Sequence, residues 1–150
     1  MTMDPADARD PILERQHTMV RPWLTLPWRR RLAILVGGTL GGAARLAVSE
    51  LLNGHGDVPW GTLVANLAGA LLLGYLLTRL LGAAQRSSLT IPLFCTGVLG
   101  SFTTFSAFSL ETWNLLDAGR IGVGLAYALG SLVAGLALAA LGIRVAERHA

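Results

Sequence analysis

A polar run interrupts the apolar sequence in the third quarter of the chain, and its side chains could handle an ion. From Gly100 to Glu111 the sequence reads GSFTTFSAFSLE, with five hydroxyl side chains and three phenylalanines. Hydroxyl groups can replace the water that surrounds an ion, and backbone carbonyl oxygens suit a hard cation such as Na⁺. The edge of an aromatic ring carries partial positive charge and can face an anion. The run therefore predicts a place where ions are held or passed.

The same run is a poor helix former. Thr103 and Thr104 are adjacent β-branched residues, and serines and glycines surround them. If the helix breaks here, the freed carbonyls need partners. At membrane depth such backbone persists only where it is buried in protein, lines a cavity or holds an ion. We therefore expect the third membrane span to be broken near the middle of the membrane.

Two further helix faces carry polar side chains at matching spacing. Thr62 and Asn66 are four residues apart and share one face, and Tyr127 and Ser131 repeat this spacing. The Asn66 amide could donate to a permeating anion or bond a neighbouring helix. Tyr127 could instead belong to an interfacial aromatic belt. Phenylalanines that recur every three residues, such as Phe105 and Phe108, are also typical of a packing stripe.

The composition that surrounds these residues is that of an integral membrane protein. Of the 150 residues, 53% are hydrophobic and only 14% are charged. We predict four membrane spans of about 20 residues each, the length that crosses a bilayer. The spans are Leu32 to about Leu52, about Gly61 to Thr78, Pro92 to about Leu116, and Ile121 to Ile143. The fold class expected is an all-α membrane protein.

Residues 1–31 read as a polar tail with mixed charge that is too polar to form a core, followed by a four-helix transmembrane domain over residues 32–150. We expect the tail to be mobile and to end in an interfacial anchor at Trp23 and Trp28. Met19 is an alternative start of translation. A signal peptide is the other interpretation of the basic and apolar stretch after residue 28, but three more spans follow it.

Small residues in the spans predict close helix contacts and an oligomer, because four thin helices enclose little by themselves. Such residues recur three or four apart at Gly37, Gly38, Gly41 and Gly42, at Gly97 and Gly100, and at Gly130 and Ala134.

The single cysteine, Cys95, reads as a small buried apolar residue. No enzyme site is apparent, since the three histidines lie outside the spans and lack metal-ligand spacing.

The arginines are unevenly distributed between the two ends of the predicted bundle. All 12 positive side chains are arginines, which gives a formal charge of +3 against nine acidic residues. Six lie in the tail, and Arg79, Arg86, Arg144 and Arg148 lie at the same end of the bundle. Only Arg120 lies at the opposite end. The positive-inside rule taken alone places both termini in the cytoplasm.

Three motifs together resemble one family. They are GxxGSFTTFSAF, from Gly97, NLAGALLLG, from Asn66, and GGTLGGAARL, from Gly37. This combination is similar to that of the Fluc (also called CrcB) fluoride channels, and the resemblance covers about residues 32–143. It implies a fluoride-selective channel of the inner (plasma) membrane that lets fluoride leave the cytoplasm passively. It also implies an antiparallel, dual-topology homodimer with two pores.

The resemblance assigns a role to individual residues. The backbone carbonyls of Gly100 and Thr103 would hold a structural Na⁺ between the two subunits. Arg45 would match an arginine of the family, and Glu111 a glutamate near the pore mouth, both with a vestibule or structural role. The residues expected along the anion pore are Asn66, Phe105, Phe108, Thr104, Ser106, Thr62, Tyr127 and Ser131. The sequence departs from the family at Ala107, where threonine is common, and at Val133, where a second serine can occur.

Three alternatives remain from the sequence. A small four-helix drug/proton antiporter would need a carboxylate in the middle of a span, whereas Glu50 and Glu111 lie near span ends. A membrane assembly subunit without transport activity would explain the glycines but not the polar residues. One subunit of a heterodimeric channel would explain the arginine distribution, because dual topology requires a weak orientation bias.

Overall fold

The described part of the chain forms a bundle of helices. The computed structural model describes residues 27–52, 58–82 and 89–148, which contain helices and turns and no strand. The expectations for residues 1–26 and for the three histidines lie outside these ranges. The elements are α1 (Trp28–Leu52), α2 (Trp60–Gly82), the π-helix π1 (Ile91–Leu99), α3 (Gly100–Phe102), α4 (Phe105–Asp117) and α5 (Ile121–Arg148).

Four helical segments are long and apolar enough to cross a membrane. They are Trp28–Leu52, Trp60–Leu81, Ile91–Asp117 and Ile121–Arg148, of 22 to 28 residues each. The prediction of an all-α protein with four spans is therefore confirmed for the described residues. Helix α1 begins four residues before the expected Leu32, which places the Arg29–Arg31 triplet in its first turn.

Glycines bring α1 and π1 into backbone contact. A Cβ atom added at Gly41 would overlap the carbonyl of Val98, and one added at Gly97 would lie 2.9 Å from the Cα atom of Gly37. Gly42, in contrast, has nothing within 4 Å of the added atom. Of the two interleaved glycine pairs on α1, Gly37 and Gly41 therefore make the close contact that the small-residue spacing predicts.

A second glycine contact joins α2 to α5, which together form the most extensive helix pair of the bundle. An added Cβ atom at Gly74 would overlap the carbonyl of Ala139, and one at Gly142 would overlap that of Leu71. Gly130, which was predicted to take part in such a contact, has nothing within 4 Å of the added atom. The glycine of α5 that packs closely on α2 is Gly142, about three turns further along the helix.

The third span changes its packing partner halfway. Its first half, π1 and α3, packs on α1, whereas its second half, α4, packs on α5. Within the described residues, α1 has no contact with α4, and α5 has none with π1.

A turn follows α4, in which Gly119 adopts a left-handed φ of 72° and its N–H donates to the carbonyl of Leu116 at 3.0 Å. This turn folds α5 back along α4.

Few side chains of the described chain are buried. Among the described residues the buried set is Thr62, Ala65, Cys95, Leu99, Leu115, Tyr127 and Ala146, together with several glycines. Burial of Cys95 agrees with its interpretation as a small apolar residue. Most leucine, isoleucine and valine side chains are open to the surroundings, so the fold is held by helix contacts at small residues and by a small set of polar bonds.

The Gly41 contact leads to a stability prediction. Gly41→Ala forces a methyl group into the Val98 carbonyl, so we expect the protein to lose on the order of 1–3 kcal/mol, the usual cost of overpacking. The measurement is thermal unfolding of the purified protein in detergent. Gly42→Ala is the matched control, since its methyl group enters open space within the subunit. An unchanged unfolding midpoint for Gly41→Ala would show that the contact is not tight.

Candidate functional site

The site is built around two extended residues in the third span. Thr103 (φ −82°, ψ 153°) and Thr104 (φ −150°, ψ 127°) separate α3 from α4. Adjacent β-branched residues favour such extended backbone. Thr104 is the N-cap of α4, and its hydroxyl accepts a hydrogen bond from the N–H of Ala107 at 3.3 Å. At the interruption a new helix, α4, therefore begins with Thr104 as its N-cap.

Asn66 of α2 binds both backbone groups of Thr104. Its Nδ2 donates to the Thr104 carbonyl at 2.9 Å, and its Oδ1 accepts from the Thr104 N–H at 2.8 Å. The side-chain amide therefore replaces the partners that a continuous helix would have supplied. Because an amide nitrogen carries two hydrogens, one donor of Asn66 remains after this pairing.

Two carbonyls in the interruption lose their usual helical donors. In a continuous helix the Gly100 carbonyl would accept from the Thr104 N–H, which here donates to Asn66. The Thr103 carbonyl would accept from the Ala107 N–H, which here donates to the Thr104 hydroxyl. These are the two carbonyls that the family resemblance implies as cation ligands. Within the described residues there is no group of three acidic, histidine or cysteine side chains that could bind a metal.

Arg45 binds a third carbonyl of the interruption. Its Nε donates to the Ser101 carbonyl at 3.2 Å. The guanidinium therefore lies at the C-terminal end of the π1–α3 segment, where the helix dipole favours a positive charge. Sequence reasoning gave Arg45 a vestibule or structural role and did not identify this bond.

An open groove of about 470 Å³ runs beside the interruption. Its walls come from α2 and from the third span. The lining residues are Asn66, Gly69, Ala70, Leu73, Gly100, Thr103, Thr104, Phe105 and Phe108. Six of the residues predicted as anion or cation ligands therefore meet in one groove. The hydroxyls of Thr104 and Ser106 lie 3.2 Å apart at its edge.

The two groove phenylalanines form an aromatic row with a tyrosine. The ring centroids of Phe105 and Phe108 are 5.9 Å apart, and those of Phe108 and Tyr127 are 5.5 Å apart, both in tilted arrangements. Phe105 is 79% exposed in the single chain, whereas Tyr127 is 6% exposed. The row thus begins at the buried ring of Tyr127 and ends at the exposed ring of Phe105.

Three of the predicted pore residues lie behind the groove and bond within the protein. The hydroxyls of Thr62 and Tyr127 donate to the two carboxylate oxygens of Glu111, at 2.7 and 2.8 Å. The Ser131 hydroxyl donates to the Tyr127 carbonyl one turn back in α5. Sequence spacing correctly pairs these residues on their own helices. It carries no signal for the Glu111 carboxylate as their shared acceptor, nor for the Asn66 bonds to Thr104.

The arrangement combines hydrogen-bond donors, ring edges and redirected carbonyls in one groove, without a fixed positive charge in its lining. Such a lining can replace the hydration shell of a small ion without trapping it. The lining therefore has the chemistry that binding or passing an ion requires.

Comparison with known proteins agrees with this chemistry. Residues 32–143 match the family model described as CrcB-like protein, Camphor Resistance (CrcB). The chain is 39% identical over 122 residues to Fluoride-specific ion channel FluC 1 of Mycolicibacterium paratuberculosis, covering 81% of this chain and 92% of that protein. It is 42% identical over 118 residues to Fluoride-specific ion channel FluC of Thermus thermophilus, covering 77% and 94%. The FluC protein of Bordetella petrii is 44% identical over 119 residues, covering 79% and 91%.

These relatives are named as ion channels, which are not enzymes, in agreement with the expectation from the sequence. The four helices that could span a membrane make the protein a multi-pass membrane protein. The matched region coincides with the stretch in which the three motifs resemble the fluoride channels. The resemblance is therefore confirmed, and the chain belongs to the CrcB family.

Proposed function

We propose that the protein is a fluoride-selective channel of the inner (plasma) membrane through which fluoride leaves the cytoplasm passively. The observation that carries this proposal is the groove in which Asn66, Phe105 and Phe108 meet beside the interrupted helix. The names of the relatives support fluoride as the ion. Fluoride is small and strongly hydrated, so its pore must supply donors for the water that it strips.

The groove requires a second surface to become a pore. Phe105 and Gly100 are exposed in the single subunit, and the groove is open along one side. We propose that a second copy, inserted in the opposite orientation, covers it. Two copies related by a two-fold axis would each contribute one groove, which gives the antiparallel homodimer two pores. The third span would then be interrupted near the middle of the membrane.

The carbonyls of Gly100 and Thr103 fit the structural Na⁺ that the family resemblance implies. Their helical donors are redirected to Asn66 and to the Thr104 hydroxyl, so both oxygens have capacity for a hard cation. Gly100 is exposed, and a Cβ atom added to it would meet only the Cys95 carbonyl of the same span, at 3.8 Å, which suits a ligand set shared between two copies. When bound, the cation supplies positive potential that favours anions nearby.

Fluoride would move along the row of ring edges. The remaining donor hydrogen of Asn66 and the hydroxyls of Thr104 and Ser106 are the polar groups that this part of the chain offers beside Phe105 and Phe108. Ring edges attract an anion weakly, and a neutral amide or hydroxyl adds no full charge. The anion is therefore stabilised along the route without a site that binds it tightly.

The first prediction concerns the rings. Phe105→Ile or Phe108→Ile keeps bulk but removes the aromatic edge, so fluoride efflux from liposomes should fall by at least about tenfold while the dimer remains assembled by size-exclusion chromatography. Phe94→Ile is the matched control, because Phe94 lies on π1 outside the groove. Wild-type efflux from both groove variants would show that the rings only pack. Absence of passive fluoride efflux from the wild-type protein would refute the proposed function.

The second prediction concerns the amide. Asn66→Asp places a carboxylate oxygen 2.9 Å from the Thr104 carbonyl and sets a negative charge in the groove, so we expect fluoride conduction to be lost. Asn114→Asp makes the same chemical change at an exposed position of α4 and should conduct normally. Liposome efflux measures both variants. An Asn66→Asp channel with wild-type rates would remove Asn66 from the anion path.

The third prediction concerns orientation. The arginine distribution favours one orientation, whereas a dual-topology homodimer needs both. We expect that a cysteine placed in the turn at Ala118, in a Cys95→Ala background, is labelled from both sides of the membrane when the chain is expressed alone. Labelling from one side only, with fluoride efflux dependent on a second protein, would instead favour a heterodimeric channel with fixed subunit orientations.

A further inference from the structure

Glu111 lies outside the groove yet binds two residues that support it. The carboxylate is half-buried in α4 and is absent from the groove lining. One of its oxygens accepts from the Thr62 hydroxyl of α2, and the other accepts from the Tyr127 hydroxyl of α5. Both hydroxyl residues are buried, with 3% and 6% of their surfaces exposed. One carboxylate therefore ties three helices together behind the groove.

The direction of these bonds fixes the chemistry of the cluster. An ionised carboxylate only accepts hydrogen bonds, so the protons of both hydroxyls point towards Glu111. Bonds from a hydroxyl to a charged acceptor are shorter and stronger than bonds between neutral groups. In this arrangement neither proton is directed into the groove. The cluster is thus suited to holding side chains in place.

The Tyr127 ring transmits this restraint to the groove. Its hydroxyl is bound to Glu111, and its ring packs on Phe108 at a centroid distance of 5.5 Å. Phe108 in turn packs on Phe105 at 5.9 Å. A change of χ1 that moved the Tyr127 ring away from Phe108 would also carry its hydroxyl away from the carboxylate. The orientation of the groove rings therefore depends on where the Tyr127 hydroxyl is bound.

We propose that Glu111 is a positioning residue of the channel, which holds Tyr127 against Phe108 and so sets the orientation of the pore rings. This inference rests on the proposed fluoride channel. A direct role as an anion ligand does not suit Glu111, because a carboxylate repels an anion and both of its oxygens already accept hydrogen bonds. In this scheme Thr62 and Tyr127 act through the protein and not as donors to fluoride.

Loss of the hydrogen bond between Tyr127 and Glu111 should slow fluoride efflux even when the substitution leaves the charge unchanged. Tyr127→Phe deletes only the hydroxyl, and we expect at least about a tenfold loss of efflux from liposomes, the scale of one hydrogen bond to a charged acceptor. Glu111→Gln keeps the size of the side chain but leaves one neutral oxygen to accept where the carboxylate has two charged ones, so we expect it to lose part of its activity. Glu147→Gln, at an exposed position of α5, is the matched control and should match the wild type.

A double variant separates positioning from a general loss of stability. If Glu111 acts through Tyr127, efflux by Glu111→Gln/Tyr127→Phe should equal that of the slower single variant, whereas independent effects would multiply. At the other end of the cluster, Thr62→Ser keeps the donor and should lose much less activity than the isosteric Thr62→Val. Variants are compared after size-exclusion chromatography shows an assembled protein and thermal unfolding shows a folded one.

The outcomes distinguish this inference from the function on which it rests. Faster efflux in Glu111→Gln with unchanged efflux in Tyr127→Phe would show that the carboxylate acts as a charge barrier, which overturns the inference. Wild-type efflux in both single variants, or multiplicative effects in the double variant, would also overturn it while leaving the channel intact. A wild-type protein that releases no fluoride would refute the proposed function and this inference together.

Discussion

The pairing of the Asn66 side chain with the backbone of Thr104 is the interaction on which the rest of the site depends. Two extended threonines within an apolar span expose peptide groups that cannot form hydrogen bonds with lipid. Each peptide group left without a hydrogen-bond partner in lipid would cost roughly several kcal/mol. Asn66 binds the N–H and the carbonyl of Thr104 at once. Arg45 binds the Ser101 carbonyl, and the Thr104 hydroxyl caps α4. The interruption is stable because these partners are in place.

The same interruption determines how the bundle is packed. At Thr103 and Thr104 the third span changes its packing partner, so that π1 and α3 pack on α1 and α4 packs on α5. This brings Glu111 of α4 beside Tyr127 of α5, with Thr62 of α2 on the other side. The aromatic row and the polar cluster are therefore both results of one local departure from helical geometry.

Sequence reasoning recovered what depends on composition and on spacing along one helix. Long, mostly apolar stretches predicted four spans, and the β-branched Thr103 and Thr104 mark the residues that adopt extended backbone. The bonds between helices were not predictable, because they depend on how neighbouring helices are rotated and shifted. Asn66 could be placed on a face with Thr62, but nothing in the spacing pairs it with Thr104. The π-helical hydrogen bonding of Ile91–Leu99 was also missed, since a sequence that is apolar apart from Thr96 gives no periodic signal.

The contact between Gly41 and the Val98 backbone has a consequence for how the subunit can move. Two backbones that touch without intervening side chains cannot slide or roll past each other unless they first separate. Helix α1 and the first half of the third span therefore form one closely packed pair, and α2 with α5 forms a second one through Gly74 and Gly142. Because α1 also packs on α2, and α4 packs on α5, movement of one pair relative to the other has to break both sets of contacts.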